Sequence, residues 1–144
     1  MFLYRYMFWT QLGLQPRIER ASMNGTNRVT IVSTKMLWPT GLSIDYLMAR
    51  LYWCDTKKRT VESCRLDGTN RTVVWRNLDY PYSIDIQGSS IYMTSRRSGK
   101  LYKLNKFGRG VPKVLFKGLG RPVSVKVHQE QRQKRSTGWF KFFF

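Results

Sequence analysis

Two cysteines, one histidine and two Asn-x-Thr sequons are the residues of this 144-residue chain whose types could support chemistry. Cys54 and Cys64 sit on the arms of LYWCD-TKKRT-VESCR, which reads as two strands around a turn. A register centred near Arg59 would set the two thiols opposite each other, and in an oxidising compartment that allows a cross-strand disulfide. The alternative is two buried thiols acting as small apolar side chains. Asn24 in Asn-Gly-Thr and Asn70 in Asn-Arg-Thr are N-glycosylation acceptors at or beside turns, although Asn24 also serves simply as a turn residue. His128 is the single side chain with an ordinary pKa near 6.5, and a place on the surface of the last strand is expected for it. One histidine and two cysteines cannot supply four Cys/His ligands to zinc, and they leave general acid–base machinery sparse. No acidic calcium loop and no glycine-rich phosphate loop occurs. The chain is therefore read as a non-enzyme with no metal and no cofactor.

Charge gives the next constraint. Lys and Arg total 26 against 8 acidic residues, a net charge of +18. Such a field attracts polyanions, and heparan sulfate or an acidic protein ligand could be read through basic loops holding Lys57, Lys58, Arg59, Arg96 and Arg97. Nucleic acid would use the same charge with stacked aromatics. The 8 Phe, 8 Tyr and 5 Trp, however, fall largely on repeated positions expected to pack as core, which argues against nucleic acid as a partner. No apolar run approaches the roughly 20 residues that span a bilayer, since Arg5 interrupts MFLYRYMFWT. That segment also lacks the basic start and small-residue cleavage site of a signal peptide.

The elements that must position these residues emerge from internal repetition. MFWTQ, LYWCD and IYMTS place Phe8, Tyr52 and Tyr92 at a spacing of about 40 to 44 residues. A second column aligns the turns Asn24-Gly25, Asp67-Gly68 and Phe107-Gly108, and a third aligns Pro39, Pro81 and Pro122. Within each unit, short runs of β-branched and aromatic residues alternate with polar ones and are punctuated by Gly, Asn, Asp and Pro, the pattern of strands and hairpins. Asn-Gly and Asp-Gly predict type I′ turns, and Ser-Ile-Asp predicts a strand with one buried and one wet face. No segment holds helical apolar spacing. An all-β fold follows, a partial β-propeller of about three blades, each a four-stranded antiparallel sheet.

These residues resemble the YWTD-type propeller of the low-density lipoprotein (LDL) receptor and the related large endocytic receptors. Phe8, Trp9, Thr10, Tyr52, Trp53, Asp55, Tyr92 and Thr94 carry the motif, and PRIERASMNGTNR from Pro16 matches the stretch that follows it. Gly25, Gly68 and Gly108 are the turn glycines of the three repeats. The resemblance implies six blades, an extracellular or endosomal setting within a membrane receptor, an adjoining EGF-like module, and binding or release of protein ligands. It also implies that the motif aspartate ties a blade to its neighbour. Here only Asp55 survives, with Gln11 and Ser95 in the matching places. Six blades of about 42 residues need about 250, so residues 1–132 form a partial propeller, and residues 133–144 form a basic, aromatic tail foreign to the family. Arg132-Gln133-Lys134-Arg135 has the form of a proprotein-convertase site, although a basic run near a chain end is usually a solvated tail. Two alternatives accompany the receptor reading: a truncated secreted decoy that binds heparan sulfate or receptor ligands, and a non-functional truncated product.

Overall fold

A computed structural model describes residues 5–128. The basic Arg132–Arg135 run, the 133–144 tail and the boundary at 132 lie outside the described residues. Eleven strands run in chain order through those residues: β1 (Tyr6–Gln11), β2 (Arg17–Ser22), β3 (Val29–Val32), β4 (Pro39–Asp45), β5 (Arg50–Asp55), β6 (Thr60–Arg65), β7 (Thr72–Trp75), β8 (Pro81–Gln87), β9 (Ser90–Ser95), β10 (Lys100–Asn105) and β11 (Lys113–Phe116). They form three antiparallel sheets, β1-β2-β3, β4-β5-β6-β7 and β8-β9-β10-β11. The second and third sheets have the expected four strands, and the first has three.

Each sheet is built the same way because its sequence repeats. The partners of Phe8, Tyr52 and Tyr92 on the following strand are Arg20, Ser63 and Lys103. The register of the outermost strand pair in each sheet shifts at a matching place, between Ile18 and Glu19, Val61 and Glu62, and Leu101 and Tyr102. A bulge there adds local twist.

Hydrophobic burial joins the sheets face to face. One core gathers Ile18, Val32, Met36, Leu51, Trp53 and Cys64 between the first and second sheets. A second gathers Tyr52, Cys54, Val61, Ile84, Ile91, Met93 and Leu104 between the second and third. Successive β5 side chains thus point into different cores, so Leu51 through Asp55 are all buried. The Ser-Ile-Asp strand β4 alternates in the opposite sense to the expected one: Gly41, Ser43 and Asp45 are buried, because that face meets the neighbouring inner strand β8, while Leu42 and Ile44 are half-buried against the first core. At Gly41 the two strands leave no room for a side chain. A Cβ there would lie 2.8 Å from Ser83 Cα and 2.9 Å from Ile84 N.

The turns differ from the type I′ expectation. Positive φ falls on Gly25, Gly68 and Gly108, while Asn24 and Asp67 keep negative φ. Gly68 N donates to Arg65 O at 2.9 Å and Arg65 N to Thr69 O at 2.8 Å, the pattern of a type I turn closed by a left-handed glycine. The reason is side-chain competition. Asp67 Oδ1 accepts hydrogen bonds from Thr69 N at 2.9 Å and Thr69 Oγ1 at 2.6 Å, and Asn24 Oδ1 does the same for Thr26.

The Cys54–Cys64 disulfide is also corrected. Asp55 pairs with Thr60, so Cys54 stands opposite Val61 and Cys64 opposite Leu51. The turn is centred between Lys57 and Lys58, which displaces the register by an odd number of residues and sends the two thiols to opposite faces of the sheet. Both are free and buried, one in each core. Burial pushes both thiols up to about 11. Native protein is therefore expected to react slowly with a thiol reagent at pH 8 and to release two thiols per chain once unfolded in guanidinium without reductant. Zero thiols in guanidinium would contradict this placement.

Candidate functional site

The residues beside the proline column line an open recess. Trp38, Tyr80 and Arg121 immediately precede Pro39, Pro81 and Pro122, and Thr40 and Tyr82 immediately follow the first two prolines. With Thr56, Arg96 and Arg97 from the turns after β5 and β9, they line a cavity of about 300 Å³. Each repeat thus contributes side chains from equivalent backbone positions.

Local hydrogen bonds fix the aromatic walls. The Asp55 carboxylate accepts from Leu37 N at 2.8 Å, Trp38 N at 3.0 Å and Lys58 N at 2.9 Å, clamping the connection between the first and second sheets and setting Trp38, which is 49% exposed. Thr56 Oγ1 donates to Pro81 O at 2.6 Å and lies 2.9 Å from Thr40 Oγ1, which joins the floor across two sheets. Ser95 cannot repeat the carboxylate clamp. Its hydroxyl accepts the amide of Ser98, at 3.3 Å, and bonds to the Asp79 carboxylate. The second connection is held instead from Asp79, whose Oδ2 accepts from Ser98 Oγ at 2.5 Å and Tyr102 OH at 2.7 Å. Burial opposes ionisation of Asp79, but these hydrogen bonds prevail and hold its carboxyl below the usual range. Tyr80 follows it with φ of +41°, a strained setting for a bulky residue before proline. Strain of this kind persists where the surroundings over-determine the backbone and is common at binding sites.

The cations are presented over rings. Arg97 and Arg59 stand 4.4 and 4.9 Å from the Tyr80 ring centre, and Arg96 stands 5.0 Å from that of Tyr82. Among the described residues, Arg96, Arg97 and Arg121 line the recess and no carboxylate does. Planar guanidinium groups held over aromatic faces present forked donors suited to carboxylates or other oxyanions. The charge pattern points to Arg96 and Arg97, but the expectation that aromatics fall largely on core positions passes over Trp38, Tyr80 and Tyr82. Tyr52 and Trp53 do pack there, at 3% and 0% exposure, whereas the residues flanking the prolines do not. Their position beside the prolines was the available signal.

The other singled-out residues lie elsewhere. Asn24 and Asn70 are exposed in turns at the opposite ends of the sheets from the cavity. His128 is exposed at the end of segment 122–128. Phe8, Trp9 and Thr10 lie on β1, and Tyr92 and Thr94 on β9. No cluster of three or more His, Cys, Asp or Glu side chains suited to a metal occurs among the described residues. Nor, among them, is any helix long and apolar enough to cross a membrane. Among the described residues, the lining offers hydroxyl groups, aromatic rings and guanidinium groups.

Residues 5–46 match the low-density lipoprotein receptor repeat class B family. The chain is 36% identical over 122 residues to the vitellogenin receptor of Solenopsis invicta, covering 84% of this chain and 7% of that protein. It is 37% identical over 112 residues to vitellogenin receptor Yl of Drosophila melanogaster, covering 77% of this chain and 6% of that one. It thus spans less than a tenth of either receptor. Among solved structures, a chain of the nidogen/laminin complex superimposes with a TM-score of 0.73 at 23% identity, covering 83% of this chain and 46% of that chain. A luciferin-regenerating enzyme shares the fold at a TM-score of 0.65 and 13% identity.

Proposed function

Because this chain is a partial YWTD-type β-propeller of the low-density lipoprotein receptor class B repeat family, we propose that it serves as a non-enzymatic binding segment of a lipoprotein-receptor-type ectodomain, taking an acidic stretch of a protein ligand into the Arg96–Arg97–Arg121 recess. Its repeat is a receptor repeat and not that of an enzyme family. The observation that carries the reading is the lining, which among the described residues holds three arginines, three aromatic rings and no carboxylate. An acidic peptide supplies what this lining lacks, carboxylates for the guanidinium forks and aliphatic stems for the rings. In this reading the chain faces the extracellular or endosomal lumen, and glycans on Asn24 and Asn70 would leave the cavity end of the sheets open.

The test is titration with a fluorescein-labelled peptide rich in Asp and Glu. The Arg96→Ala/Arg97→Ala double variant is expected to weaken binding at least tenfold, and raising salt from 50 to 500 mM to weaken wild-type binding further, as interactions between exposed charges are screened. Heparin oligosaccharide run in parallel separates this reading from a decoy that reads sulfated glycan through dispersed charge. Peptide binding unchanged in the double variant would overturn the proposal.

A further inference from the structure

The two sequons occupy different places in their turns. Asn24 opens its turn, where its Oδ1 accepts from Thr26 N at 3.1 Å and Thr26 Oγ1 at 2.7 Å. In the second repeat Asp67 has that role and accepts from Thr69. Asn70 stands three residues further on, at the position of Asn27 in the first repeat, and Thr72 completes its sequon where the first repeat has Val29. Asn70 is exposed, with φ of +53°, and its carbonyl accepts from Arg50 Nη2 at 3.0 Å. Arg50 and Thr72 in turn line a groove of about 290 Å³ between the second and third sheets, at the end away from the arginine recess.

The groove has a polar wall and an apolar lip. Tyr52, Ser63 and Thr72 contribute hydroxyls, and Arg50, held by its bond to Ser63 Oγ at 2.9 Å, contributes a guanidinium. Met48 and Phe107 line it while remaining 49% and 51% exposed, so they form its open lip. Exposed apolar surface gathered beside a polar groove marks a place that something covers. Phe107 holds the turn position of Asn24 and Asp67 without their duty, because Asn105 Oδ1 accepts the amide of Phe107 at 2.8 Å and organises this turn instead. Its place is fixed by the backbone. A Cβ on Gly108 would lie 2.5 Å from Val74 O, which seats the turn against β7, the strand that Thr72 opens.

We propose that Asn70 carries an N-linked glycan whose first N-acetylglucosamine lies in this groove, its apolar face on Phe107 and its oxygens toward Arg50. The inference rests on the lumenal placement proposed above and not on the peptide-binding recess. Such a sugar has a face of ring C–H groups for an aromatic, and hydroxyl and acetamido oxygens that accept from a guanidinium. Arg50 already reaches the backbone of the attachment residue, and a tethered sugar meets the groove as an intramolecular partner. The modification is a group transfer from a lipid-pyrophosphate-linked oligosaccharide. A bond forms from Asn70 Nδ2 to the anomeric carbon and the bond from that carbon to the pyrophosphate oxygen breaks. One amide proton passes to a base of the transferase, and the lipid pyrophosphate leaves.

The experiment produces the full chain behind a secretion leader in cells restricted to high-mannose glycans, with occupancy read by glycopeptide mass on secreted and retained chain alike. Asn70 is expected to be occupied. Native glycoprotein is then treated with peptide N-glycanase, which must reach the first sugar. Release from Asn24, where a Cβ on the adjoining Gly25 meets nothing within 4 Å, is expected to be faster than from Asn70 by about tenfold, and the rates to converge on denaturation. Trimming to a single sugar tests the contact itself. That form is expected to melt about 3 °C above Asn70→Gln. The difference is expected to vanish when Phe107→Asp, which installs the residue type of the second turn, is placed in both. Asn70 bare while Asn24 is glycosylated would overturn the inference and leave the lumenal placement standing, and both bare would overturn both. Equal release from the native protein, or a melting difference that persists with Phe107→Asp, would overturn the seating of the sugar.

Discussion

Gly68→Ala is expected to destabilise the protein by about 3 kcal/mol or more, and Gly25→Ala, at the same place in the preceding G-T-N-R turn, by about 1 kcal/mol. Both glycines are left-handed, with φ of +89° and +83°, so alanine incurs similar backbone strain at each. Their surroundings differ. A Cβ on Gly25 meets nothing within 4 Å, whereas a Cβ on Gly68 would stand 2.1 Å from Ile31 O and 2.9 Å from Ile31 C. The obstacle is backbone of β3, which no side-chain rotation can clear, so the turn must withdraw from the first sheet. That movement pulls on Arg20, which donates to Leu66 O at 3.0 Å, and opens the core around Trp53 and Ile18. Gly108 repeats the contact one sheet later, 2.5 Å from Val74 O, and should rank beside Gly68. Urea unfolding of the three alanine variants measures the order. Equal midpoints for Gly25→Ala and Gly68→Ala would show that the nesting of turn against neighbouring sheet carries no stability.

That contrast also shows what the residues disclosed. The turn column located all three glycines because a left-handed position is written locally. That two of them touch the neighbouring sheet is a property of stacking, which a single repeat does not contain. The cysteines failed for a related reason. Whether Cys54 and Cys64 share a face depends on the parity of a register, and the turn closed around Lys57-Lys58, not around Arg59. The proline column showed where each inner strand begins, but whether the flanking aromatic turns inward depends on distant partners. Trp38 is set by the carboxylate of Asp55, and Tyr80 by a connection strained to φ of +41°.

Glu62→Ala is expected to cost about 3 to 5 kcal/mol, the range for stripping a buried ion cluster of one sign of charge. The Glu62 carboxylate is 1% exposed and accepts from Lys58 Nζ, from Arg71 Nε at 2.7 Å and from Thr60 Oγ1 at 3.2 Å. Its cations do further structural work. Arg71 donates to Thr34 O at 2.6 Å and Lys35 O at 3.1 Å, and Lys58 to Lys35 O at 2.8 Å, so one carboxylate holds both hands of the connection between the first and second sheets. In a chain of net charge +18, alanine here leaves two cations together with no local compensation. Burial pushes the Glu62 carboxyl up, but the hydrogen bonds and charges of Arg71 and Lys58 outweigh it and hold the pKa below the ordinary value; Glu19 is lowered likewise, chiefly by its hydrogen bond from Arg28. A carboxylate whose folded pKa lies below its unfolded value of about 4.3 contributes stability that is complete above that value and lost as pH falls through the folded one. Stability carried by these clusters should therefore be unchanged from pH 7 to pH 5 and decline only below about pH 4. An acid titration followed by near-ultraviolet circular dichroism checks this, with Glu62→Gln expected to flatten the acid limb. A midpoint above pH 5 would require another titrating group.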